Sequence, residues 1–239
     1  MRSVLNKLVA VGLLGFAANA AASEVGSQER LAELKDQILE IAIANGDNRD
    51  NLVEVRAQLD PLVAELDAYQ AEVQATEELD VLVGSWKEVW ADDIEPQRPG
   101  FETDRDGVYQ VITADGYFYN IGELDGPLGF TATGYLRGEY SDAGINLAIE
   151  FTDLGILFGG IDRVENLRDQ IDAIESGEKN LIPTPGNPTF PNGPIGATGV
   201  IRNLYIDDEI RIATGSNDAD GVQDLYVLTR VVGPVRYRN

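Results

Sequence analysis

The sequence predicts a mainly β protein with a helical lead: an antiparallel β-barrel preceded by an N-terminal helical hairpin. Three observations carry this. Apolar residues recur at spacings of three and four as far as Val73, and at a spacing of two beyond Trp86. The change of period falls on Gly84-Ser85-Trp86-Lys87-Glu88-Val89-Trp90. Beyond it, about eight or nine short β segments are separated by Gly, Asp and Asn turn signals, with one helical interruption.

Residues 1–22 read as a secretory signal peptide. Arg2 and Lys7 form a basic lead, Leu8 to Ala18 is an apolar run too short to span a bilayer, and Ala18-Asn19-Ala20 and Ala20-Ala21-Ala22 are small-residue cleavage sites. The signal is bacterial in type, so the expected destination is the periplasm or the medium.

Residues 23–80 make the hairpin. Leu31, Leu34, Ile38 and Ile41 mark one face of a first helix, roughly Ser27 to Ala44. Gly46 suits a left-handed cap that stops it. Leu52, Val55, Leu59, Leu62, Leu66, Tyr69 and Val73 mark a second helix. Pro61 interrupts it, either as the first residue of a fresh helix capped by Asp60 or as a kink. This stripe has two readings: a seam for a protein partner, or a face packed on the chain's own barrel.

Residues 81–239 make the barrel. Asp92 to Asp106, polar and carrying Pro96 and Pro99, reads as a long first loop. Val108 to Thr113 and Tyr117 to Glu123 flank the turn Ala114-Asp115-Gly116. Leu128 to Tyr140 alternates Leu128, Phe130, Ala132, Gly134, Leu136, Gly138 and Tyr140 against a polar face. Ser141-Asp142-Ala143-Gly144 turns the chain, and Ile145, Leu147, Ile149 and Phe151 alternate in the return strand. An insert at 160–199 holds a helical stretch, Asp162 to Ser176, and a Pro-rich loop. Strands resume at Val200 to Ile206, Glu209 to Thr214 and Gln223 to Val232.

The charge balance narrows the function. Of 239 residues, 18 are basic and 41 acidic, for a net charge of −23. That repels nucleic acid and anionic lipid surfaces, so no nucleic-acid partner is expected. There is no histidine and no cysteine. The chain therefore lacks an imidazole base, a thiol nucleophile, a disulfide, a lipid-anchor cysteine and an ordinary zinc site. Its carboxylates are scattered over loops and polar strand faces, so no enzyme activity and no cofactor are expected. Ser216 to Gly221 resembles half of a calcium loop, but position twelve would be Val227, so it reads as an ordinary hairpin loop. The best candidate site is the apolar barrel face, with Trp86, Phe130, Leu136, Tyr140, Leu147, Ile149 and Phe151 lining a small hydrophobic molecule. The competing reading is that these residues simply fill the interior.

Three stretches resemble the plastid lipid-associated protein (fibrillin) family. Leu82-Val83-Gly84-Ser85-Trp86 is similar to the family's opening motif. Gly107-Val108-Tyr109-Gln110-Val111-Ile112, with Tyr119-Asn120-Ile121, is similar to its hairpin. Tyr205-Ile206-Asp207-Asp208-Glu209-Ile210-Arg211-Ile212-Ala213-Thr214-Gly215, with Leu225-Tyr226-Val227-Leu228, is similar to its closing motif, departing at Thr214 where the family carries arginine. The resemblance implies a lipocalin-like barrel and association with lipids or other apolar molecules. It assigns structural roles to Gly84, Trp86, Tyr109, Gln110, Asn120, Tyr205, Asp207, Arg211, Gly215 and Arg230. In lipocalin-type barrels an arginine often covers the opening tryptophan. Arg230 is expected to do so here, with Arg211 as the rival.

Overall fold

A computed structural model of the chain describes residues 27–73, 81–93, 102–126, 129, 131–143, 146–158, 176, 195–217 and 223–231. Two helices lead: α1 over 27–45 and α2 over Leu52–Val73. The described strands are β1 (Gly84–Ala91), β2 (Glu102–Ile112), β3 (Tyr117–Asp125), β4 (Thr131–Ala143), β5 (Asn146–Phe158), β6 (Thr198–Ile206), β7 (Ile210–Asn217) and β8 (Gln223–Arg230). Each pairs antiparallel with the next, and β8 returns to β1, so the barrel is closed. Closure removes the unpaired edges that an open sheet of this size would expose.

Bulges on β1, β5 and β6 set which side chains face in, the one at Leu204 of β6 bringing Asn203 and Ile206 to one face. On β1 the register moves from Glu88↔Leu228 to Trp90↔Val227, leaving Val89 as the extra residue. Strict alternation would place Trp86, Glu88 and Trp90 on one face. The bulge reverses the parity. Trp86 packs inside with Ile112, Phe118 and Leu228, and Trp90 packs outside among the helices. On β5 the register moves from Gly138↔Phe151 to Arg137↔Asp153, so Leu147, Ile149 and Phe151 share the inner face with Leu154 beyond the bulge.

The helices cover the outside of one half of the barrel. Leu34, Ile38 and Ala42 of α1 and Val55, Leu59, Val63 and Leu66 of α2 are buried with Trp90, Tyr205, Ile210, Ile212, Leu225 and Val227. The stripe on α2 is thus packed on its own barrel, and it leaves no free seam at Leu59 or Leu66. Ion pairs surround this seam. Lys35 Nζ reaches Asp207 Oδ2 at 2.6 Å and Glu209 Oε2 at 3.0 Å. Arg56 Nη1 reaches Asp92 Oδ2 at 2.6 Å, and Asp92 Oδ1 accepts the Leu225 amide. Arg30 grips Glu65 through two parallel bonds of 2.7 and 2.8 Å, tying α1 to α2.

Several expectations need correction. Gly46 is not in the left-handed region. It is required because a Cβ would lie 2.6 Å from the Val89 carbonyl oxygen, where the loop presses on the β1 bulge. Of the two readings at Pro61, the fresh helix capped by Asp60 fails, because α2 runs through it. The polar segment read as loop to Asp106 is already strand from Glu102, because the pairs Glu102↔Asp125 to Asp104↔Glu123 extend the hairpin. The turn placed at Ser141 begins later, since β4 pairs through Ala143. The turn at Ala114-Asp115-Gly116 stands as read, with Gly116 at φ 96°. The signal peptide, the helical stretch of the insert, most of its Pro-rich loop and Phe130 lie outside the described residues.

Candidate functional site

One end of the barrel is plugged around Trp86. Its indole Nε1 donates to the Leu82 carbonyl at 3.0 Å, and Leu82 packs against it. Arg230, opposite Trp86 on β8, lies over the ring with its guanidinium carbon 4.2 Å from the centroid. The same guanidinium donates to the Val83 carbonyl at 3.2 Å and to the Val81 carbonyl. Gly84 at φ 149° makes this possible, because a Cβ there would stand 2.5 Å from Arg230 Nη1. Arg230, not Arg211, therefore covers Trp86.

Beyond the plug the inner wall is apolar. Leu147, Ile149, Ile201, Ile206, Ala213 and Leu228 form one cluster with Trp86, and Tyr140, Phe151 and Tyr226 pack against it. Of the residues expected to line a ligand, the structure gathers Trp86, Tyr140, Leu147, Ile149 and Phe151 here. Leu136 shares the face by register, opposite Asn120 and Leu154. Gly138 keeps the wall flat, since a Cβ would meet Ile149 Cγ2 at 2.6 Å. Tyr140 is anchored by its hydroxyl, which donates to the Thr113 carbonyl at 2.7 Å.

Two buried charged side chains interrupt this wall: Arg211 on β7 and Glu88 on β1, both opposite Leu228 of β8 by register. Arg211 of β7 is fully buried. It shares the inner face with Leu228 on one side and Ile206 on the other. Its Nε donates to Asn203 Oδ1 at 2.6 Å and its Nη1 to Gln110 Oε1 at 2.8 Å. Gln110 is on β2, which is not a neighbour of β7, so the side chain crosses the lumen. Nη2 is buried without an acceptor. Burial pushes the guanidinium down to about 9, which still leaves it charged at neutral pH.

The remaining motif residues are structural by position. Asp207 Oδ1 accepts the Glu209 and Ile210 amides at 2.8 and 2.9 Å, and Oδ2 accepts the Tyr205 hydroxyl at 2.8 Å. Burial alone would raise the Asp207 carboxyl; Lys35, these amides and Tyr205 outweigh it and hold the group below the ordinary carboxylate value. Tyr109 is buried on the outward face of β2 with Val111, Tyr119, Ile121 and Tyr135. Asn120 faces in beside Gln110. Gly215 leaves room for the Tyr226 ring, which a Cβ would meet at 3.0 Å. A cleft of about 280 Å³ opens at the end of α1, lined by Gly46 and Asp47 and by Lys87, Glu88, Val89 and Thr229 of the β1–β8 pair. Among the described residues no group of three or more acidic side chains is placed to hold a metal ion.

The model of the PAP_fibrillin family matches residues 32–222, from α1 to the residue before β8. The chain belongs to this family. Among the solved structures, a lipocalin-like protein from Bacteroides uniformis is similar. It is 13% identical, and the match covers 63% of this chain and 98% of that chain at a TM-score of 0.31. No curated protein matches the sequence. In this PAP_fibrillin chain, sequence reasoning named Arg211 and Gln110 as motif residues but did not place them together in the lumen, and it did not name Asn203. The Ile210-Arg211-Ile212 triplet shows a charge between apolar residues on a strand but does not say which face is the lumen.

Proposed function

We propose that this protein binds a lipid or other small hydrophobic molecule inside its barrel, without catalysis, and does so in the periplasm or the medium. The observation that carries the reading is the apolar cluster on the inner wall, from Trp86 through Ile149, Ile201 and Leu228, in a closed barrel. Barrels of about eight strands are wide enough for one small ligand. Membership of the PAP_fibrillin family supports association with apolar molecules. The signal-like residues 1–22 support export.

Native mass spectrometry of the protein purified from an exporting host tests the binding. The expected spectrum carries an added mass that disappears on extraction with organic solvent. A bare protein mass, together with no uptake of medium-chain lipids or of an apolar fluorophore, rejects the reading. N-terminal sequencing of the same sample tests export, with a start beyond residue 20 expected.

A further inference from the structure

We infer that the lumen is built for an anionic amphipath, a chain carboxylate whose head group sits on Arg211 and whose tail lies along the apolar wall. This rests on the proposal that the barrel interior binds a hydrophobic molecule, and it specifies the chemistry of that molecule.

A guanidinium carries five N–H donors and cannot easily shed its charge. Burying one without a counter-charge is costly, so buried arginines are ordinarily paired with carboxylates. Arg211 is fully buried, yet its only hydrogen-bond acceptors among the described residues are the neutral amide oxygens of Asn203 and Gln110. Glu88 is on the same face, opposite Leu228, one strand further round than Arg211's own neighbour, and Arg211 donates to neither of its oxygens. The two amides fix the guanidinium plane by holding Nε and Nη1. Nη2 is left facing no acceptor.

The surroundings of the cation select the rest of the ligand. Leu228 and Ile206 flank Arg211 by register, and both belong to the apolar cluster that continues through Ala213, Ile201 and Leu147. An inorganic anion would satisfy the cation but leave that wall without a partner. A neutral lipid would cover the wall but leave Nη2 without an acceptor. A carboxylate on an alkyl chain does both, and the fork of a guanidinium matches its two oxygens.

The test compares dodecanoate with dodecan-1-ol, each titrated below its aggregation limit into the mature protein and followed by calorimetry and native mass spectrometry. Dodecanoate is expected to bind about tenfold or more tightly than the alcohol. In Arg211→Met the alcohol should bind as before and the advantage of the acid should vanish. Gln110→Glu is the second variant, because it supplies a carboxylate of nearly the same shape against Nη1. It should abolish the preference for dodecanoate and raise the melting temperature of the empty protein. Inorganic phosphate at millimolar concentration should not displace dodecanoate. Equal binding of acid and alcohol by the parent protein overturns the inference and leaves the carrier reading standing. So does an acid preference that survives Gln110→Glu, or displacement by phosphate. If neither acid nor alcohol binds, the carrier reading itself fails.

Discussion

Arg230 shows how a single side chain can close a barrel. It stacks on Trp86, caps the Val81 and Val83 carbonyls, and needs the space that Gly84 leaves. A cation–π contact contributes roughly 0.5–2 kcal/mol, and the two carbonyl bonds add to it. Arg230→Ala should therefore lower the unfolding free energy by about 2–3 kcal/mol in urea titrations. Arg230→Lys should recover only part, since an ammonium cannot stack and serve two carbonyls together. Gly84→Ala should cost about 1–3 kcal/mol, because it combines a disfavoured φ with a steric clash. An unchanged midpoint in Arg230→Ala would mean the plug is held by Leu82 and Trp86 alone. The Gly84–Trp86 pair and Arg230 were legible in the sequence because the motif is local and the resemblance to lipocalin-type barrels implies an arginine over its tryptophan. The luminal place of Arg211 was not. A strand with Ile210 and Ile212 around a charge ordinarily turns the isoleucines inward and the charge to water. Here helices cover the outer face of β7, so both faces are dry and alternation cannot say which one holds the cation.

At the scale of elements, the helices are part of the fold and not an attached arm. Leu59 is fully buried between α2 and the barrel. Leu59→Ala should cost about 2–5 kcal/mol, the range for a buried leucine truncated in a packed core. If the α2 stripe were instead a docking seam, the monomer would tolerate the change. The turn between β6 and β7 adds a pH dependence. The Asp207 carboxyl titrates below its ordinary value in the folded protein, so its contribution is complete above about pH 5 and is lost as the pH falls through the folded value. Burial tends to lower the Lys35 ammonium, but its bonds to Asp207 and Glu209 outweigh this and raise it. Its contribution is complete below its ordinary value, near pH 10.4, and is lost as the pH rises through the folded value. Asp207→Ala should thus lower stability by about 2–3 kcal/mol at pH 7 and by less near pH 2, measured as the difference in unfolding free energy from the parent at each pH. A deficit constant with pH would assign the loss to packing instead of charge. The helices and most strands could be read from periodicity. The bulges at Val89 and Thr152 could not, because a bulge inserts one residue without changing local composition, and it is fixed only by the partner strand.

Across the whole molecule, a net charge of −23 surrounds an interior whose wall carries a buried arginine. The two fields act over different distances. Exposed charges are screened by salt over a Debye length of about 10 Å at 0.1 M, whereas a pair formed deep in the barrel is little affected. On the proposed reading, an incoming carboxylate should therefore be repelled on approach and held once inside. Raising the ionic strength from about 10 mM to about 200 mM should speed dodecanoate association severalfold and leave its dissociation nearly unchanged. Dodecan-1-ol should show neither effect. Stopped-flow tryptophan fluorescence can follow both ligands, because Trp86 closes the apolar lumen. Faster dissociation of dodecanoate at high salt would instead place its head group in solvent-exposed surroundings, away from Arg211. The fold and the proposed head-group site are then separable properties of one chain: hydrophobic alternation and closure supply the cylinder, and a buried arginine with an unpaired Nη2 would decide which apolar molecule it encloses.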